Sequence, residues 1–418
     1  MTDTAPGKRS PLLLLCHRIP YPPDKGDKIR SFHLLRYLHG HYEVHLGAFV
    51  DDPDDWRHEE AVKDFCASCT LLRRPRLPGM LPLVRALLRG QPLTLPMYYH
   101  RDMERWVRRI VPEAGISSVV IFSAAMGQYV LNAECRDLHR VIDFVDVDSD
   151  KWRQYAGRLS WPKSWLYRRE AASLLRFEQH LHRVSQASLF VSSSEAELFR
   201  QLVDEHPERV DYVNNGVDYH YFDPSTKLDN PYPDGTRALV FTGAMDYWPN
   251  IDAVNWFARE VLPGLRAMQA DLSFYIVGSN PTPVVQRLGE LPGVQVTGRV
   301  ADVRPYQQYA LAVVAPLRVA RGVQNKVLEA MSMARPVLVS KPGLEGIPAV
   351  HGQEVLLADT SADYVEQLSA LTQGRYREVG TAARRLVLDR FAWEESLPRV
   401  GRWLEGGSGG AVGGRARG

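Results

Sequence analysis

The stretch of this chain richest in groups that can do chemistry is Ala315-Pro-Leu-Arg-Val-Ala-Arg-Gly-Val-Gln-Asn-Lys-Val-Leu-Glu-Ala-Met. Arg318, Arg321 and Lys326 gather around Gly322, where an apolar run turns into a pattern that fits a helix opening near Gln324 or Asn325. Free backbone N–H groups and the positive end of the helix dipole favour an anion at such a start. Three cations there suit a diphosphate. Asn325 and Glu329 are four residues apart and share one helix face, with Glu329 about 6 Å further along the axis. Its carboxylate can accept two ribose hydroxyls. A solvated helix start with Lys326 and Glu329 paired at i,i+3 is the alternative reading of the same residues. Negative charge growing on a diphosphate held here would, without a metal, be met by Arg, Lys and helix-end N–H groups. Arg321 and Lys326 are the catalytic candidates, with Arg318, Gly322, Asn325 and Glu329 holding the donor.

The first half offers two further constellations. In Tyr21-Pro-Pro-Asp-Lys-Gly26-Asp-Lys-Ile-Arg30, Gly26 would let backbone N–H groups approach a phosphate or sugar, and Lys25, Lys28 or Arg30 would add charge. A plain left-handed turn is the alternative. Asp143, Asp146 and Asp148 fall at the end of an apolar run, and Asp146 can orient or deprotonate an acceptor hydroxyl. Three acids so close together also resemble a divalent-cation site, but strand alternation sends Asp143 away from the other two. Capping or ion pairing remains open for them.

Short apolar runs with helical patterns between them must position these groups. Strands are expected at Leu12–Cys16, Val44–Val50, Ser118–Phe122, Val141–Phe144, Ser188–Ser192 and Asp211–Val213, and helices at Ile29–Leu38 and Trp165–Val184. After a Pro-rich linker near residue 220, strands are expected at Ala238–Thr242, Leu272–Val277, Val294–Thr297, Leu311–Ala315 and Pro336–Ser340, with helices at Ala253–Val261 and Asn325–Met333. This βαβ alternation predicts an α/β protein of two doubly wound, Rossmann-like domains whose strand ends face a central cleft. The expected division is 1–220, 221–390, a helix within 391–405 that crosses back to the first domain, and a disordered glycine-rich tail at 406–418.

Composition removes several function classes. With 51 Lys+Arg against 49 Asp+Glu the formal charge is +2, too even for a protein held on nucleic acid by its overall field. Four cysteines in 418 residues make no disulfide framework. Cys66-Ala-Ser-Cys69 has metal-like spacing but lacks a second ligand pair. Gly406-Gly-Ser-Gly-Gly410 matches a nucleophile elbow only formally, since no strand precedes it. No Gly-x-Gly-x-x-Gly, Walker loop or His-Glu-x-x-His occurs. Apolar runs are too short for a membrane span or signal-peptide core, so the expected place is the cytoplasm. The Arg-Leu alternation of residues 73–89, with Trp161, Trp165 and Arg168-Arg169, suggests peripheral contact with the inner membrane; a buried helix edged by arginines is the alternative.

The segment Glu329-Ala-Met-Ser-Met-Ala-Arg-Pro-Val resembles the donor-domain helix of family-4 retaining glycosyltransferases of the GT-B fold. Further landmarks follow in the same order as in that family: Asn215-Gly-Val-Asp218, Phe241-Thr-Gly243, Tyr275-Ile-Val-Gly278 and Val296-Thr-Gly-Arg299. Together they cover most of the chain. Pro20 to Ser31, Asp143 to Ser149, Phe241 to Asn250 and Gly322 to Met331 look like the sugar transferases associated with PEP-CTERM/exosortase systems of bacterial exopolysaccharide assembly. The resemblance implies a GT-B enzyme that moves a hexosyl unit from a nucleotide-diphosphate sugar to a growing, lipid-linked saccharide, with retention, no metal and no resident cofactor. Residues 1–220 would then bind acceptor and 221–390 donor, with Gly243 lining the donor site. One departure stands out: Arg321 occupies the position of the family's first glutamate, and a guanidinium clamps phosphate rather than accepting sugar hydroxyls. The family's Lys-Gly after the first strand of the second domain is also absent, Trp248-Pro-Asn250 standing in that region. A nucleotide-sugar epimerase of the same fold, or a non-catalytic sugar- or lipid-carrier-binding subunit of an export complex, is the competing expectation.

Overall fold

A computed structural model describes residues 9–23, 26–74, 80–157, 159–320 and 322–406. The chain forms two compact units. One runs to Asn214 and resumes at Leu397; the other spans Asn215–Ser396.

The first unit is built on β1 (Pro11–Cys16), β2 (Glu43–Val50), β3 (Ser68–Arg73), β4 (Ser118–Phe122), β5 (His139–Val145), β6 (Ala187–Phe190) and β7 (Val210–Tyr212), in one parallel sheet of order β3-β2-β1-β4-β5-β6-β7. Leu12 to Leu15 are each fully buried, so helices cover both faces of this strand and its sequence shows no alternation. Leu12 pairs with Val44 on one side and Ser118 on the other. The order reverses between β1 and β4, and ligands of open α/β sheets bind beyond the carboxyl ends of the strands at such a reversal. Strand β3 was not expected: its residues are half-buried at the sheet edge, and Ser-Cys-Thr-Leu-Leu-Arg carries too little apolar content to register as a run.

The second unit holds β8 (Arg237–Thr242), β9 (Leu272–Val277), β10 (Val294–Gly298), β11 (Ala312–Ala315), β12 (Val337–Val339) and β13 (Leu356–Leu357), parallel, in the order β10-β9-β8-β11-β12-β13. Its reversal lies between β8 and β11. The helix Trp248–Trp256 continues as a π-turn, Phe257–Val261, into Leu262–Met268. There Leu262 N–H reaches back to Phe257 O just ahead of Pro263, which has no N–H to give.

The expected helix Trp393–Leu404 is broken. It consists of Trp393–Ser396 and Pro398–Leu404, interrupted at Leu397, whose backbone stays helical while the following Pro398 has no N–H to continue the hydrogen-bond ladder. The second piece packs in the first unit: Trp403 Nε1 donates to Asp211 Oδ2 at 3.0 Å and Arg399 to Tyr212 O at 2.9 Å. From residue 407 the glycine-rich tail lies outside the described residues. No helix of the described residues is long and apolar enough to cross a membrane.

Candidate active site

In the second unit the glycines at the carboxyl ends of β8 and β9 make room by having no side chain. A Cβ on Gly278 would stand 1.6 Å from Gly243 O, so the two strand ends touch through backbone alone. A Cβ on Gly243 would meet Asn250 Nδ2 at 2.8 Å and Lys326 Nζ at 3.2 Å. These distances place the Lys326 ammonium directly over the end of β8, on the reversal side of the sheet. Asn250, buried in the helix after β8, accepts from Lys326 Nζ at 2.5 Å and donates to Ala244 O at 2.8 Å. The ammonium also lies 4.5 Å from the centre of the Phe241 ring, a cation–π contact.

Lys326 and Glu329 both come from the helix Asn325–Ser332. Burial pushes the Lys326 amine down to about 7, the Glu329 charge opposing it. Burial likewise pushes the Glu329 carboxyl up to about 7 against the pull of Lys326. Neither finds enough counter-charge to offset its desolvation, so the site favours a ligand that brings an anion to one and hydroxyl donors to the other. Asn325 Oδ1 is buried with no hydrogen-bond partner among the described residues, an acceptor left for a donor from outside.

The other expected donor residues divide. Gly322 has φ +66 and open space about it, the left-handed turn that a glycine permits. Arg318 is exposed and turned onto Asp252, with Nε to Oδ2 at 2.9 Å, so its charge is already matched. Arg321 lies outside the described residues. The structure therefore brings Gly243, Asn325, Lys326 and Glu329 to the reversal and leaves Arg318 on an ion pair beside them. Asn250 was not anticipated as a site residue, although it closes the Phe241-to-Asn250 motif.

In the first unit, Gly26 opens the helix Gly26–His41 on ordinary backbone rather than in a left-handed turn, with nothing near its missing side chain. Lys25 lies outside the described residues. The expectation that Lys28 or Arg30 supplies charge to a ligand is corrected. Lys28 Nζ is buried on Asp55 at 2.7 Å, and Arg30 is buried on Asp143 at 2.8 and 3.1 Å while also donating to Val213 O. Both cations are consumed by structural pairs. Asp143 in turn accepts from Val145 N–H at 3.1 Å. It thereby supports φ 70 at a β-branched residue, which ordinarily avoids the left-handed region, where β5 shifts register. That irregularity, not simple alternation, separates Asp143 from Asp146 and Asp148.

Asp146 accepts from Lys151 at 2.6 Å and Asp148 from the same amine at 3.4 Å. Burial raises the Asp148 carboxyl despite Lys151. Among the described residues no group of three His, Cys, Asp or Glu side chains is placed to hold a metal ion. At the end of β1 stands His17, which the sequence reading passed over. Its ring stacks on Phe122 with centroids 5.6 Å apart, Nε2 lies 3.3 Å from Asp27, and Nδ1 is buried without a partner among the described residues. Its position immediately after the first strand was the available signal. Next in sequence, Arg18 donates to Asp51 Oδ2 at 2.8 Å, and Asp51 Oδ1 has no partner among the described residues.

Comparison with known proteins agrees with this layout. Residues 236–373 match the family described as glycosyl transferases group 1. No curated protein matches the chain. Among solved structures, a sucrose-phosphate synthase from Thermosynechococcus elongatus superposes with a TM-score of 0.66 at 16% identity, over 95% of this chain and 99% of its own. Anabaena Alr3699/HepE in complex with UDP gives 0.66 at 13%, over 94% and 99%. WaaG, a glycosyltransferase involved in lipopolysaccharide biosynthesis, gives 0.63 at 17%, over 94% and 100%. Such likenesses show the fold, which is the GT-B class of two Rossmann-like α/β units. The chain thus combines the GT-B fold with a match of residues 236–373 to an enzyme family, glycosyl transferases group 1.

Proposed function

We propose that the protein is a hexosyltransferase that takes its sugar from a nucleotide-diphosphate donor and adds it to a growing, lipid-linked saccharide in bacterial exopolysaccharide assembly, with retention and without a metal. The observation that carries the donor assignment is Lys326: an ammonium largely desolvated at the strand reversal, beside Gly243, with the unpartnered Asn325 Oδ1 on the same helix start. A diphosphate restores its lost counter-charge, and ribose hydroxyls suit Glu329. The UDP and UDP-glucose carried by the structurally similar Anabaena protein support a nucleoside diphosphate as the ligand class. The exopolysaccharide setting rests on the resemblance of the Pro20-to-Ser31, Phe241-to-Asn250 and Gly322-to-Met331 motifs to PEP-CTERM/exosortase-associated sugar transferases.

In the reaction the bond between the anomeric carbon and the diphosphate oxygen breaks with its electron pair staying on that oxygen, a bond from the acceptor oxygen to that carbon forms, and the acceptor's proton passes to the departing diphosphate. Lys326, with Arg321, would meet the charge growing on the leaving diphosphate. Gly322 and Asn325 would complete the donor site, and Arg318 would join them by exchanging Asp252 for phosphate. Asp146, held by Lys151, would orient the acceptor hydroxyl. The test is incubation with radiolabelled nucleotide-diphosphate hexoses and polyprenyl-diphosphate-linked saccharide, products being resolved by chromatography and their anomeric configuration read by NMR. Label in the lengthened saccharide is expected. Nucleotide binding with no transfer to any acceptor would instead favour a carrier-binding subunit.

A further inference from the structure

The first unit exposes an apolar surface that its own fold does not explain. In the helix Met80–Leu88 only Ala86 is buried. Met80, Leu81 and Leu88 are 79%, 78% and 82% exposed, and Val84 lies exposed between them. A nine-residue helix with one inward-facing side chain gains little from burial, so something else must hold it in place. That role falls to the long helix Lys163–Arg183. Arg169 donates to Ala86 O at 3.0 Å and Leu87 O at 3.2 Å. Arg176 donates to Gly90 O. The buried Glu170 receives Leu93 N–H, Thr94 N–H and the Thr94 hydroxyl at 2.8–2.9 Å. These polar fastenings seat the helix with its apolar side outward. At the start of the same long helix, Trp161 and Trp165 are 81% and 55% exposed.

The charged residues carried by these two segments have one sign. Neither residues 71–101 nor residues 151–169 contain an Asp or Glu, whereas Arg85, Arg89, Lys163 and Arg168 are all exposed. A protein partner or a second copy of this chain would be expected to offer or require some acidic complement within the patch. Exposed Leu, Met and Trp interleaved with exposed Arg85, Arg89, Lys163 and Arg168 match an anionic lipid surface: apolar side chains enter the acyl boundary, tryptophan sits at headgroup level, and each cation adds attraction to the negative leaflet.

We infer that the helix Met80–Leu88, together with Trp161 and Trp165, is a membrane-docking surface of the first unit for bilayers rich in anionic phospholipid. This deepens the proposed reaction by naming where the enzyme meets a lipid-linked acceptor. It can be tested without any donor, so its failure and the failure of glycosyl transfer are distinguishable.

The experiment is co-sedimentation of the full chain with vesicles of phosphatidylcholine containing phosphatidylglycerol, and with vesicles of phosphatidylcholine alone. Binding to the first and not the second, weakening as sodium chloride is raised, is expected. Arg85→Glu/Arg89→Glu should lower that binding by about tenfold or more, and Leu81→Asp/Leu88→Asp should abolish it. Because the substituted side chains are exposed, the thermal midpoint of each variant should stay near that of the parent. Three results would overturn the inference: no binding to either vesicle, equal binding to both, or a dimer in sedimentation equilibrium that Leu81→Asp/Leu88→Asp dissociates.

Discussion

Lys326 Nζ donates to Asn250 Oδ1 at 2.5 Å, and Asn250 Nδ2 holds Ala244 O at 2.8 Å. A residue from the helix after β8 thereby fixes the direction of a cation from the helix after β11, across the point where the strand order of the second unit reverses. Asn250 is neutral, so it orients the ammonium without cancelling its charge.

The first prediction separates charge from orientation. Lys326→Met removes the cation that would face the leaving diphosphate and should lower turnover by about 10²-fold or more. Asn250→Ala keeps the cation but frees it, and should lower turnover by about tenfold, the scale of one net hydrogen bond to a charged group. Steady-state rates with the parent donor decide this. Near-wild-type turnover in Lys326→Met would remove Lys326 from the chemistry.

Donor affinity should depend on pH in a bell centred near 7. Below that value Glu329, its carboxyl raised to about 7 by burial, is protonated and accepts less well from ribose; above it Lys326, its amine lowered to about 7 by burial, loses the charge a diphosphate needs. The two limbs have separate owners. Glu329→Gln should flatten the acid limb and leave the alkaline one, while Lys326→Arg should do the reverse, since a guanidinium does not titrate in this range. Calorimetric titration with a nucleoside diphosphate across pH 5 to 9, as an approximate working span, reads both. Parallel profiles in parent and variants would exclude the pair as the source.

How far these features could be read in advance depended on the physics each one used. The buried strands were legible because β1, β4 and β9 are continuous apolar runs. The edge strands β3 and β13 were not, because half-buried or two-residue strands leave little pattern. Lys326, Asn325 and Glu329 were legible because helix periodicity ties their positions to one another. Asn250 and His17 escaped because their partners, Lys326 and Asp27, are defined by how strands and helices stack rather than by local spacing. Lys28 and Arg30 were misjudged for the same reason. A cation in a glycine-containing turn looks available until Asp55 and Asp143, which are distant in sequence, are seen to claim it.

Gly278 offers a stability test of the donor cradle. Adding one methyl there would bring Cβ to 1.6 Å from Gly243 O, a backbone atom with no freedom to rotate away. The ends of β8 and β9 would have to part, breaking the bond from Gly243 N–H to Val277 O at 3.1 Å. Gly278→Ala should cost about 3 kcal/mol or more, the upper range for overpacking. Urea unfolding followed by circular dichroism measures it. Gly298→Ala supplies the contrast: Gly298 has φ +69 but no neighbour within 4 Å, so its cost should be limited to the left-handed backbone penalty of about 1–2 kcal/mol.

Glu178 should give the first unit a stability that declines toward alkaline pH. Its carboxyl is fully buried, accepts from Ser149 N–H at 3.2 Å and from the Ser149 hydroxyl at 2.5 Å, and is pushed up to about 8 by burial and then by the charge of Asp148. The folded state therefore retains a proton that the unfolded chain, with an ordinary glutamate near 4.3, has already released. The stabilising contribution is whole below the unfolded value and is lost progressively as pH rises toward 8, with a slope of about 1.4 kcal/mol per pH unit if this group alone governs it. Above 8 both states are ionised and the slope from this residue vanishes. Glu178→Gln keeps the shape and can accept from Ser149 N–H while its amide pairs with the hydroxyl, so it should remove that slope and leave the variant more stable than the parent at pH 8 than at pH 5. Urea denaturation midpoints at several pH values provide the comparison, and identical pH profiles for parent and variant would show that the carboxyl is already ionised in the folded protein at neutral pH.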